Sequence, residues 1–217
     1  MHGFWLQFVK VAVAHFLAVA SPGPDFAMVM RQSIAHGRRA AIWTSVGIGS
    51  AILVHVTYAL LGIGILLRTY PVAFTAMKVA GAAYLAWIGV QGLRSRPRHD
   101  VSESPFGRRG DSSRPAEPAA HSAWTAGFLT NVFNPKATLF FVALFASLID
   151  PRTPKVIQGA YGLWMAASTM GWFAMVSVVF TRDRVRAAFL RAGHWIDRAM
   201  GVVFLGLAAA LVLASLN

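Results

Sequence analysis

The sequence contains no cysteine and few charged residues. Without cysteine, the chain can form no disulfide, carry out no thiol redox chemistry and build no thiolate metal site. Charged residues make up only 13% of the 217 positions, whereas 56% are hydrophobic. This composition excludes an ordinary soluble globule and predicts an integral membrane protein with the lipid bilayer as its surroundings.

Acidic residues are especially scarce, and the shortage leaves a strong positive charge. Eight aspartates and glutamates stand against 20 lysines and arginines, so that the formal net charge is +12. A charge of this size can indicate nucleic-acid binding. Here, however, the basic residues lie between apolar segments, which is typical of the cytoplasmic loops of a membrane protein. We therefore expect no nucleic-acid partner.

Catalytic and metal-binding motifs are missing as well. The sequence has no Gly-x-Ser-x-Gly, no His-Glu-x-x-His and no paired aspartates within an apolar segment. The plausible intramembrane metal ligands are Asp25, His15 and His55, and nothing in the sequence indicates that they converge. We expect neither enzymatic activity, nor a cofactor, nor a metal site.

Six apolar segments dominate what is present. They run at about 4–33, 41–67, 71–93, 123–150, 155–180 and 196–216. Most approach or exceed the ~20 residues that are needed to cross about 30 Å of hydrocarbon. The sequence thus predicts an all-α integral membrane protein with six transmembrane helices.

The polar stretch 94–122 divides these segments into two groups of three. It is rich in Arg, Ser and Pro, has no periodicity, and is predicted to be a flexible linker between a first repeat at 1–93 and a second at 123–217. Most arginines follow the first, third and fifth segments, and the opposite side holds only Arg68, Arg152 and Lys155. The positive-inside rule therefore places the linker in the cytoplasm and both termini outside.

The first and fourth segments are each interrupted by helix-breaking residues. Pro22, Gly23 and Pro24 precede Asp25 in the first, and Asn134-Pro135-Lys136 interrupts the fourth. A break in lipid survives only where protein or a wet cavity satisfies the backbone. A charged residue at such a depth is a candidate for function by default. The sequence thus predicts that both breaks contribute to a substrate site.

The two halves of the chain also resemble each other. Aligning Pro24 with Pro135 places Asp25 opposite Lys136, and a basic-x-x-Gly-x-x-aromatic-Leu pattern recurs at 78–85 and 198–205. An odd number of spans per unit forces the copies to cross the membrane in opposite directions. We predict two inverted three-helix repeats with the first and fourth helices broken, as in many secondary transporters.

Several motifs resemble those of the LysE/RhtB family of amino-acid exporters. The residues concerned are Ser-Pro-Gly-Pro-Asp-Phe at 21–26, Thr-Asn-Val-Phe-Asn-Pro-Lys-Ala at 130–137, the glycine-aromatic pattern at 81–89, and Trp-Ile-Asp at 195–197. The last two are similar to the threonine/homoserine-efflux branch. The resemblance implies export of amino acids across a bacterial-type inner membrane, with protons as the coupling ion. An ion or small-metabolite transporter or channel on the same fold is the alternative, and a homo-oligomer is left open.

The predicted substrate-binding residues are those of the two breaks and one asparagine before the second: Pro22, Gly23, Pro24, Asp25, Asn131, Asn134, Pro135 and Lys136. A cation in the first turn of a helix opposes the helix dipole. Lys136 therefore needs either a salt bridge to Asp25 or the substrate's carboxylate. Asp25 and the amide oxygens of the two asparagines would take the ammonium group, although each asparagine could simply cap the interrupted helix.

Proton coupling needs a group that changes charge during transport. Asp25 is the first candidate, because burial and a nearby cation act on its proton affinity in opposite directions. His55 is the second, since histidine titrates in the useful range. His15 shares this property, but a lone histidine on an apolar helix more often has a structural hydrogen bond.

Overall fold

The computed structural model describes residues 2–69, 71–95, 118–150, 152–179, 194–195, 197–209 and 212. Its helices are α1 (His2–Ala20), α2 (Pro24–Ala35), α3 (Arg38–Thr69), α4 (Pro71–Leu93), α5 (Ala120–Val132), α6 (Pro135–Ser147) and α7 (Lys155–Val179). Residues 197–209 are helical as well. Every regular element within these ranges is a helix, which agrees with the predicted all-α class.

The membrane character is visible in the lengths and hydropathies of the helices. Within the described residues, Gly3–Ala20, Arg38–Leu61 and Lys155–Val179 are each long and apolar enough to cross a bilayer, and α5 with α6 adds a fourth span if the bent pair counts as one. Most of the linker, from 96 to 117, lies outside the described residues. In the predicted sixth span, 196, 210–211 and 213–216 lie outside the described residues too.

Proline determines where the two predicted breaks fall. Pro24 and Pro135 each occupy the first position of a helix, where the missing N–H is not needed. The first break separates α1 from α2, and the second bends α5 against α6 by 58°. Both interruptions that the sequence predicts are therefore confirmed.

Helix α3 is the centre of the bundle and packs against α2, α4, α5, α6 and α7. Its closest neighbour is α5, and two glycines permit the approach. A Cβ on Gly47 would overlap the Trp124 carbonyl oxygen, and one on Gly127 would overlap that of Thr44. The Thr44 hydroxyl donates to the Ala123 carbonyl across the same crossing, at 3.1 Å. This crossing holds the second break against the middle of the bundle.

Candidate substrate site

Asp25 lies in the first turn of α2 and faces the second break. Its Oδ2 accepts hydrogen bonds from Asn131 Nδ2 at 2.9 Å and Asn134 Nδ2 at 3.1 Å. The other oxygen, Oδ1, is buried and has no hydrogen-bond partner among the described residues. A buried carboxylate oxygen without a donor is costly, so this atom is ready to receive a proton or a cationic group.

The two asparagines orient Asp25 and at the same time bind other groups. Because an ionised carboxylate can only accept, each amide nitrogen must face Asp25 and each amide oxygen must face elsewhere. Asn134 Oδ1 caps α6 by accepting from the Lys136 backbone N–H at 3.0 Å. Asn131 Oδ1 lies 3.1 Å from His55 Nε2. From the sequence we expect both amide oxygens to bind the ammonium group of the substrate. In this conformation they are already bound by groups of the protein itself.

Lys136 belongs to the same cluster but does not pair directly with Asp25. Its Nζ donates to Ser21 Oγ at 2.9 Å and lies 5.6 Å from the centre of the Phe204 ring. A Cβ on Gly23 would lie 3.5 Å from Nζ, so the glycine leaves room for the side chain. The salt bridge to Asp25 that the sequence suggested is thus wrong for this conformation. Ser21 takes the ammonium of Lys136, and the asparagines take the carboxylate.

One cavity joins the two breaks, and its wall is polar at one end and mainly apolar elsewhere. The polar end contains Ser21, Asp25, Asn131, Asn134 and Lys136, next to Gly23 and Pro24. Much of the remaining wall is aromatic and consists of Phe26, Phe140, Phe141, Phe173 and Phe204. Pro22 and Pro135 do not line the cavity, so their role is to shape the breaks. A cavity of this kind suits a ligand with a charged end and a small, mainly apolar remainder.

His55 is fully buried on α3 and is linked to Asp25 through Asn131. Its Nε2 lies 3.1 Å from both the backbone oxygen and Oδ1 of Asn131. Its Nδ1 lies 2.8 Å from the Tyr58 hydroxyl, and its ring stacks on Phe141. Tyr58 is not identified as a site residue from the sequence. Its position three residues after His55 places both on one helix face, which could have indicated the contact.

His15 lines the cavity from α1, and the centre of its ring lies 6.0 Å from that of Phe141. Its Nε2 lies 3.1 Å from the Met165 carbonyl oxygen and 3.0 Å from Thr169 Oγ1, which ties α1 to α7. This supports a structural role. Ser21, which was part of the first motif but not of the predicted site, lines the cavity and binds Lys136.

Comparisons with known proteins identify the family of the chain. The family model described as LysE type translocator matches residues 16–215. The chain is 28% identical over 211 residues to the threonine efflux protein of Escherichia coli (strain K12), covering 96% of the chain and 98% of that relative. It is 30% identical over 215 residues to the leucine efflux protein of Klebsiella pneumoniae, covering 95% and 94%. An uncharacterized membrane protein of Haemophilus influenzae is 24% identical over 210 residues. No solved structure matches the chain.

Proposed function

Since the chain belongs to the LysE type translocator family, whose members are transporters and not enzymes, we propose that it exports a small neutral amino acid in exchange for protons. Threonine, homoserine and similar amino acids are the candidate substrates. The relatives named for threonine and leucine efflux support this class. The observation that carries the proposal is the cavity at the two helix breaks, where a carboxylate with an unused oxygen shares the wall with a half-buried lysine.

The carboxylate of the substrate would bind Lys136. An ammonium group has three hydrogens, and the described contacts of Nζ include one hydrogen bond, to Ser21. A carboxylate can take up the remaining donors without breaking that bond. Its negative charge also removes the conflict between a cation and the positive start of α6.

The ammonium group of the substrate would bind Asp25 Oδ1. The two asparagine amides hold Oδ2, so the carboxylate is oriented before the substrate arrives. Pre-organised groups of this kind bind more tightly because less freedom is lost on binding. The substrate's side chain would then lie against the aromatic wall, which sets no charge requirement and suits neutral amino acids.

Exchange with protons follows from the single free oxygen. Asp25 Oδ1 can hold either the substrate's ammonium group or a proton, and each excludes the other. A proton that binds from one side would release the amino acid, and departure of the proton on the other side would restore the site. His55, which contacts Asn131 next to Asp25, is the second proton-binding group in this proposal.

The proposed architecture around this site is six transmembrane helices in two inverted three-helix repeats. The matching helix breaks in α1–α2 and α5–α6 support it, since paired discontinuous helices at a repeat interface are a recurrent transporter design. The repeats would occupy 1–93 and 123–217. Residues 94–122 would form a cytoplasmic linker in the inner membrane, with both termini outside, as the arginine distribution indicates.

Transport in proteoliposomes tests the proposal. Efflux of radiolabelled threonine, homoserine and leucine is measured under an imposed pH gradient, with lysine as a competitor. We expect Asp25→Asn to abolish gradient-driven transport. The matched control is Asp150→Asn, because Asp150 is exposed and its carboxylate accepts a local bond from the Arg152 backbone N–H at 2.8 Å.

Three outcomes would count against the proposal in different ways. Wild-type rates in Asp25→Asn would remove Asp25 from the mechanism. Amino-acid transport that ignores the pH gradient would remove the proton. If folded protein moves no amino acid, an ion or another small metabolite becomes the candidate substrate. For a metal ion the described structure offers little support, because no three His, Asp or Glu side chains converge within it.

A further inference from the structure

The hydrogen bonds around His55 determine where its protons can be. Both groups near Nε2, the Asn131 backbone oxygen and Oδ1, can only accept. Nε2 must therefore carry a hydrogen in every protonation state of this conformation. Any proton that His55 gains or loses is consequently bound at Nδ1, on the side that faces Tyr58.

The Tyr58 hydroxyl lies between two acceptors. Its oxygen is 2.8 Å from His55 Nδ1 and 3.2 Å from the backbone oxygen of Thr138. When His55 is neutral, the hydroxyl hydrogen is donated to Nδ1. When His55 is protonated, Nδ1–H donates to the Tyr58 oxygen, and the hydroxyl hydrogen is donated to Thr138 instead.

We infer that Tyr58 is a positioning residue for proton coupling, whose hydroxyl changes acceptor between His55 and the Thr138 carbonyl when His55 Nδ1 binds a proton. This inference rests on the proposed proton exchange. One proton enters and is held on Nδ1, tyrosine stays neutral, and only hydrogen bonds are exchanged. Both states of His55 are therefore fully hydrogen-bonded inside the bundle, where an unpaired donor would be costly.

The Thr138 carbonyl connects this exchange of hydrogen bonds to the proposed substrate site. Thr138 lies on α6, two residues after Lys136, so the protonated state adds a hydrogen bond from α3 to the helix that carries the proposed carboxylate ligand. On the other side, Asn131 joins His55 Nε2 to Asp25. Uptake of a proton at His55 thus adds a bond to the helix of Lys136, and the positive charge strengthens the Nε2–H bond to Asn131, the partner of Asp25.

The other titratable groups near His55 bind different partners. Asp25 on α2 is reached only through Asn131, and Lys136 on α6 donates to Ser21. His15 on α1 bonds the Met165 carbonyl and Thr169, and no direct bond between the two imidazoles occurs among the described residues. Tyr58 is the ionisable side chain that bonds His55 directly in the described structure.

The test compares Tyr58→Phe with the wild type in proteoliposomes over a range of pH. Removing the hydroxyl takes away the acceptor for Nδ1–H, and hydrogen bonds to a charged group are worth more than neutral ones. We expect the pH of half-maximal transport to fall by about one unit, which is a tenfold higher proton activity. Tyr84→Phe on α4, whose ring packs against Trp87, is the matched control and should keep the wild-type midpoint.

A second measurement needs no variant at position 58. The imidazole nitrogens of His55 are followed by NMR in histidine-labelled protein, with His55→Gln to identify the signals. We expect Nε2 to stay protonated and Nδ1 to titrate within the pH range of transport. An unshifted midpoint in Tyr58→Phe, or a His55 that stays neutral throughout that range, overturns the inference while leaving amino-acid export intact. A wild type that ignores the pH gradient overturns the proposed proton exchange instead.

Discussion

Replacing Lys136 with methionine removes one charge from the proposed substrate site and keeps most of the side-chain volume. Methionine keeps an unbranched stem that can still pack beside Gly23 and the Phe204 ring. The ammonium group is lost, and with it the hydrogen bond to Ser21. Asp25 remains as a carboxylate without a nearby cation. The site then offers no cation to the carboxylate of an amino acid, so the substrate should bind more weakly.

The size of the effect follows from the bonds that Lys136 is proposed to make. A hydrogen bond to a charged partner contributes about 1.5–3 kcal/mol. At 1.4 kcal/mol for each factor of ten, its loss weakens substrate binding about 10- to 100-fold. We therefore expect the half-saturating concentration for substrate exchange to rise by this factor in Lys136→Met.

The assay is exchange of labelled threonine between the two sides of a proteoliposome at equal pH, so that no proton gradient contributes. Lys155→Met is the matched control, because Lys155 lies exposed at the start of α7 and donates to the Leu60 carbonyl at 3.3 Å. Threonine amide, which lacks the carboxylate, serves as a competitor. The wild type should prefer the acid over the amide about 10- to 100-fold, and Lys136→Met should lose most of that preference.

Two results would refute this reasoning. One is a half-saturating concentration in Lys136→Met within twofold of the wild-type value. The other is an unchanged preference for the acid over the amide in that variant. Either would show that the substrate's carboxylate binds elsewhere, and the start of α2 around Asp25 would be the next place to examine.

Two further predictions concern stability. Gly47→Ala forces a Cβ into the Trp124 carbonyl oxygen and should destabilise the protein by about 1–3 kcal/mol in thermal unfolding. The control Gly171→Ala should be neutral or stabilising, because a Cβ there meets nothing within 4 Å. Equal melting temperatures of the two variants would contradict the close crossing. Asn134→Ala removes both the α6 cap and a bond to Asp25, and should cost about 1–2 kcal/mol of stability as well as substrate affinity. Asn134→Ser, which keeps a capping oxygen, should recover the stability but not the affinity, and recovery of both would contradict the role given to the amide.

The helix breaks could be predicted from the sequence because proline acts locally. Pro24 and Pro135 each remove a backbone donor, and their rings clash with a preceding helical turn in any environment. The helices therefore begin at these residues in the structure, as the sequence indicates. The same reasoning predicted that the two breaks belong to one site, and the cavity brings Asp25 and Lys136 together.

The partners of the charged residues could not be predicted in the same way. The sequence suggested that Asp25 and Lys136 pair because they align in the two repeats. In the structure both charged groups bind neutral side chains instead. The Asp25 carboxylate accepts from Asn131 and Asn134, and the Lys136 ammonium donates to Ser21. Which pairing forms depends on how the helices pack, because these partners lie far apart in the chain.

The sequence by itself determined the class of the protein, the positions of both helix breaks and the candidate residues around them. These properties follow from composition, hydropathy and the local chemistry of proline, which act without knowledge of distant residues. Only the tertiary structure decided that Asn131 joins His55 to Asp25, that Tyr58 bridges His55 and Thr138, and that phenylalanines form much of the cavity wall. Such contacts join residues far apart in the chain. The contact between Asn131 and His55 depends on the glycine crossing at Gly47, which brings α5 against α3.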